Sequence, residues 1–145
     1  MRVDFYHLAS TALDRALPGV CEKVLGSGER LLIVADDGEL ARLDELLWSY
    51  SPHSFLPHGR AERASPEQQP ILLSANTEAL NGATNLVLAD GLWRDEALAF
   101  ARIFYFFGPA QLEMARTAWR SLKAKAEVEA RYWKQDERGR WVEGP

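Results

Sequence analysis

The sequence has a single cysteine, Cys21, in 145 residues. An internal disulfide framework and any paired CxxC zinc site are therefore excluded, and the composition suits a reducing compartment. Cationic excess is missing as well: the formal net charge is −4 and the pI about 5.4. Broad attraction to nucleic acid or to an anionic membrane needs surplus Lys and Arg to displace counterions, so any basic site must be local. No apolar run approaches the roughly 20 residues of a membrane span, and the opening "MRVDFYHLAST" has no long apolar core of the signal-peptide kind. A cytoplasmic protein is expected. GxGxxG and GxxxxGK[ST] are absent; "LGSGER" ends a helix ahead of a strand, whereas a phosphate cradle follows a strand and opens a helix.

What is present fits one domain over residues 1–145 with enough apolar content to bury a core. "VDFYHL" reads as a strand, and "TALDRALPGVCEKVLGSG" as a helix interrupted near Pro18 and closed by Gly26 and Gly28. "RLLIVA" is a buried strand. Asp36, Asp37 and Gly38 fit a helix start, where acidic side chains satisfy free N–H groups, and "ELARLDELLWSY" sets Leu40, Leu43, Leu47 and Tyr50 on one face. The polar "GRAERASPEQQP" reads as a loop, "ILLS" and "NLVLAD" as strands, and "ALAFARIFYFFG" as either helix or strand. "PAQLEMARTAWRSLKAKA" is a helix with Pro109 at its start, and "EARYWKQ" with "RWVE" across "DERG" a terminal hairpin. Strands alternating with helices predict an α/β domain of three layers, with a mostly parallel sheet covered on both faces.

Two constellations stand out. The last helix carries Arg116, Arg120, Lys123 and Lys125 between Met114 and Ala126 with no acid among them. At 100° per residue, the first three fall within about 60° of arc, and Trp119 lies between that strip and the apolar stripe of Leu112, Ala115, Leu122 and Ala126. Such a strip suits a short acidic peptide with a hydrophobic end, Arg gripping a carboxylate by two parallel hydrogen bonds; an ordinary solvated helix face has the same spacing. The second is "LDELLWSYSPHSFLPHG", Leu43 to Gly59. Trp48 falls off the stripe of Leu40, Leu43, Leu47 and Tyr50, so either the "SFLPH" segment shelters it or Trp48, Phe55 and Pro57 form an aromatic patch for another protein. His53 and His58 as metal ligands would need further ligands, and no HxxxH or HExxH spacing supplies them. As nucleophiles, Cys21 sits in an amphipathic helix pattern and Ser54 lacks a strand-turn-helix GxSxG setting.

The run "RLLIVADDGELARLDELLWSYSPHSFLPHG", with "DFYHL", "ARTAWRSLK" and "YWKQDERGRW", resembles the chi subunit family of bacterial DNA polymerase III, an accessory of the clamp loader. The most specific part is LDxxLW followed by SFLPH. The resemblance covers nearly the whole chain and implies a Rossmann-like α/β domain without a phosphate loop, no catalysis, no cofactor and no metal. It implies a bridge between the replicase and single-strand DNA-binding protein, whose acidic, Phe-ending C-terminal tail it holds. By that resemblance Arg116 is the chief carboxylate clamp, Trp119 the aromatic wall, and Arg120 and Lys123 supporting charge. Trp48 and Phe55 fall on the surface used for the psi subunit, for which a repair helicase competes in some bacteria. The chain departs from the family in having "AKAEVEARYW" where many members carry a glycine before the terminal strand, and Trp119 where a tyrosine is common.

A rival reading is a response-regulator receiver. "LLIVADDGELARL" resembles its first strand and acidic pair, with Asp90 of "NLVLADG" as phosphoacceptor and Asp36, Asp37 and Asp90 holding Mg²⁺. Against it, a complete strand-helix unit precedes the acidic pair, and no Lys follows a short apolar strand after Asp90.

Overall fold

The computed structural model describes residues 1–8, 13–50, 56–63 and 65–144. Strand β1 (Arg2–His7) leads through helix α1 (Leu13–Gly26) to β2 (Leu31–Val34), then α2 (Asp37–Ser49), β3 (His58–Arg60), β4 (Ile71–Ser74), β5 (Asn85–Leu88) and β6 (Arg102–Phe107). Helix α3 (Leu112–Lys123) follows, and the strands β7 (Glu129–Gln135) and β8 (Trp141–Glu143) complete one sheet, ordered β3-β4-β2-β5-β6-β1-β7-β8. All neighbours are parallel except β7 and β8, the expected hairpin.

The central strands are short continuous apolar runs because both of their faces are covered. Leu31, Ile33, Val87, Phe104 and Phe106 pack with Leu17, Cys21, Leu40, Leu43 and Leu47 of α1 and α2. On the other face Leu32, Val34, Leu86, Leu88, Ile103 and Tyr105 pack with Ala115, Ala118 and Leu122 of α3. The three-layer α/β expectation is met. Asp36 caps α2, its carboxylate accepting from the Glu39 N–H at 3.0 Å, and Gly28 takes φ +80° in the turn after α1, a conformation that costs glycine little.

Four local readings change. Helix α1 runs through Pro18 without interruption: the missing N–H removes one helical bond, while the ring lies buried against the core. "GRAERASPEQQP" is not all loop, since Gly59 and Arg60 belong to the edge strand β3 and Pro66–Gln68 forms a 3-10 turn. The ambiguous "ALAFARIFYFFG" divides, with a 3-10 turn at Asp95–Ala99 followed by β6. Pro109 likewise opens a 3-10 turn, Pro109–Gln111, which feeds α3.

Asp4 of β1 is fully buried. Its carboxylate accepts from Arg2 Nε and Nη2, each at 3.0 Å to one oxygen, from Trp133 Nε1 of β7 at 2.9 Å and from Arg102 Nη2 of β6 at 3.4 Å. One acid thus ties three adjacent strands. Replacing it with Ala leaves a part-buried indole N–H and two half-covered guanidiniums without their acceptor. Asp4→Ala should therefore lower unfolding free energy in urea by about 1.5–3 kcal/mol, the range for hydrogen bonds to charged groups; a loss under 0.5 kcal/mol would show that water substitutes for the carboxylate.

Candidate functional site

Helix α3 crosses the sheet from β6 to β7 and therefore lies over β1, the strand between them. Its apolar side, Ala115, Ala118 and Leu122, is buried. Trp119 stands at the margin, edge-on to Phe5 (ring centroids 5.2 Å) and to Tyr132 (5.7 Å). Between α3 and β7 this leaves a groove of about 390 Å³ lined by His7, Leu112, Arg116, Trp119, Tyr132 and Lys134. No carboxylate among the described residues lines it.

Arg116 is solvent-accessible and pairs with Glu113 of the preceding turn at 3.2 Å. Exposed pairs of this kind contribute little, so Glu113 is readily exchanged for a better-placed carboxylate. Lys123 Nζ stands 5.2 Å from the Trp119 ring centre, a cation-π approach. Of the four residues expected here, Arg116 and Trp119 share the groove, while Lys123 contacts the Trp119 indole without lining it. Arg120 is exposed on α3 but does not line the groove.

His7, Tyr132 and Lys134 escaped the sequence reading. They meet because β7 pairs parallel with β1 in the register Phe5 to Tyr132 and His7 to Lys134. The His7 ring stacks on Phe107 at 5.1 Å and 16°, and its Nδ1 is 3.1 Å from the Tyr132 hydroxyl. Burial holds the His7 imidazole below its ordinary value, and the Arg116 charge depresses it further. Burial also raises the Tyr132 phenol, with Arg116 opposing. The period-two pattern of "EARYWKQ" marks a strand; nothing in it names β1 as the neighbour.

The second constellation lies at the other end of the sheet. Trp48 is 56% exposed, so it is not sheltered as a core residue. Its ring centre is 4.7 Å from that of His58. His58 is buried, with Nδ1 2.7 Å from the Leu56 carbonyl, which can only accept, so that nitrogen carries a proton. Its Nε2 is 2.9 Å from Asp44 Oδ1 without the alignment of a hydrogen bond. Through its ring contact with Trp48, His58 packs β3 against α2. Pro57 is half-buried beside the core residue Leu56; His53, Ser54 and Phe55 lie outside the described residues.

The receiver constellation does not assemble. Asp36 and Asp90 share a small cleft of about 220 Å³ at the ends of β2 and β5, whereas Asp37 lines a separate depression with Arg60 and Ser74. Asp36 is occupied as a cap, and Asp90 is held by Arg94 through bonds of 2.8 and 2.9 Å. Among the described residues no three His, Cys, Asp or Glu side chains converge on a cation position. No helix among them is long and apolar enough to cross a membrane.

A family model described as DNA polymerase III chi subunit, HolC, matches residues 1–129. Among curated proteins, the chain is similar to a probable DNA polymerase III subunit chi from Rickettsia prowazekii (strain Madrid E), 30% identical over 84 residues. That alignment takes in 57% of this chain and 51% of the relative, so it spans about half the relative's length.

Cys21 supplies a direct check on the packing described. The residue is buried, and desolvation pushes its thiol up to about 12, far from the reactive range of catalytic thiolates. The folded protein should show no titratable thiol with a disulfide reagent at pH 8 over minutes, and one after denaturation. Rapid modification of the native chain would mean that α1 does not seal this part of the core.

Proposed function

Because this chain belongs to the DNA polymerase III chi subunit family, we propose that it is a non-catalytic adaptor of the clamp loader. In this reading it holds the acidic C-terminal tail of single-strand DNA-binding protein and links that protein to the replicase during DNA replication. The observation that carries the proposal is the groove between α3 and β7, lined among the described residues by no acid, with Arg116 and Lys134 as cations and Leu112, Trp119 and Tyr132 as apolar wall. A peptide whose last residue is aromatic and terminates in a carboxylate matches both halves of that lining. The ring displaces water from apolar surface, and the carboxylate replaces Glu113 as the partner of Arg116. Lys123 and Arg120 extend positive charge along the exposed side of the helix, where it steers acidic residues upstream of the end.

Trp48 and Pro57, with Phe55 by the family resemblance alone, would then serve a protein partner, the psi subunit or a repair helicase. Trp48 supports this by its exposure, since exposed tryptophans are favoured as interface anchors.

Titration with an acidic peptide ending in Pro-Phe tests the adaptor reading. Arg116→Ala should weaken binding by about 1.5–3 kcal/mol, roughly tenfold or more in Kd. Lys125→Ala should change it little, because Lys125 lines a different cavity on the opposite flank of α3 with Trp93, Leu98 and Ser121. Equal losses would indicate a diffuse basic field rather than a built groove. Trp48→Ala should leave peptide affinity unchanged in a protein whose circular dichroism is native; loss of the peptide as well would join the two surfaces into one.

A further inference from the structure

We propose that His7 is a ligand-contacting residue of the groove, and that seating a peptide carboxylate there draws a proton onto its imidazole. The proposal rests on the tail-binding reading and adds to it a residue and a linked proton. His7 lines the groove together with Arg116, Trp119 and Tyr132. Its ring is fixed by the Phe107 stack, and Nδ1 is engaged with the Tyr132 hydroxyl. Nε2 makes no hydrogen bond among the described residues, so it is the nitrogen available to a ligand.

Among the described residues, these groups face the ring. From α3 comes Arg116, whose charge disfavours a second cation; from β7 come the Tyr132 hydroxyl and the Lys134 ammonium; from β6 comes only the apolar Phe107. With the groove empty, burial and then the Arg116 charge hold the imidazole's pKa below its ordinary value. A carboxylate paired with Arg116 cancels the repulsion and offers an acceptor to a protonated Nε2. Both effects favour the imidazolium in the complex, so binding takes up a proton. The sign follows: affinity is lowest when the imidazole is neutral in both states, and it rises as pH falls through the range of the bound form. It levels once the free protein is protonated as well.

The test uses the full chain and the acidic peptide ending in Pro-Phe, with isothermal titration between pH 7.5 and 5.5, above the ordinary range of the peptide carboxylates. Each pH is run in two buffers of different ionisation enthalpy, which counts protons taken up. The wild-type protein should bind roughly three- to tenfold tighter at pH 5.5 than at 7.5, a change set by up to one unit of pKa shift on binding, with net proton uptake between. His7→Gln can keep a bond to Tyr132 but cannot be charged, and it should show a flat affinity and no uptake. If the wild type binds without taking up a proton, or if His7→Gln retains the same pH slope, the His7 proposal falls while the tail reading stands. If the peptide does not bind at any pH, the tail reading fails and this proposal fails with it. Should His7→Gln prove unfolded, the proton count of the wild type decides alone.

Discussion

The candidate site depends on β7 lying parallel beside β1, inside the sheet rather than at its margin. That placement forces α3 to cross over β1, and the crossing brings Trp119 against Phe5 and Tyr132. It also puts His7 and Lys134 on the same row. The Asp4 carboxylate holds the arrangement, since it accepts from β1 itself, from β6 through Arg102 and from β7 through Trp133. A buried acid so fully engaged supplies registry as much as stability: a one-residue slip of β7 would carry Trp133 to the opposite face and turn Tyr132 out of the groove.

Electrostatics then divides the surface in a way that the net charge of −4 conceals. The acids near the strand ends are consumed internally, Asp36 by a helix N-terminus and Asp90 by Arg94. Asp14 and Glu39 both hold Arg42, joining α1 to α2. The groove is left with cations and one histidine. An acidic protein can thus present a local cationic recess without the general affinity for polyanions that a basic protein would carry.

Much of this was legible in the chain. "LLIV", "NLVL" and the Asp36 cap follow from hydrophobic runs and helix-start chemistry, and the strip of Arg116, Trp119 and Lys123 follows from helical angle alone. Where the reading stopped, the missing information was tertiary. "ALAFARIFYFFG" has no single period because β6 is buried on both faces, so neither alternation nor a 3.6-residue stripe is imprinted on it. Pro18 signals a break by propensity, yet the helix continues where its ring fills apolar space. The groove was half visible: α3 declares its own residues, but His7 and Tyr132 are 125 positions apart in sequence and meet only through strand order. Arg120 shows the converse limit, since membership of a helical arc does not make a residue part of the cavity beside it.

The strand order also fixes the separation of the two proposed surfaces. His58, under Trp48, is on the edge strand β3, whereas Tyr132 is on β7, six strand intervals away. At about 4.8 Å per interval they are roughly 29 Å apart, across a sheet too closely packed to fold back on itself. If both proposed surfaces are used, the domain would act as a rigid spacer between them. A ligand captured at one end and a partner held at the other do not compete for room. Each instead raises the effective concentration of whatever is tethered to the other, by an amount set by linker length rather than by any contact between them.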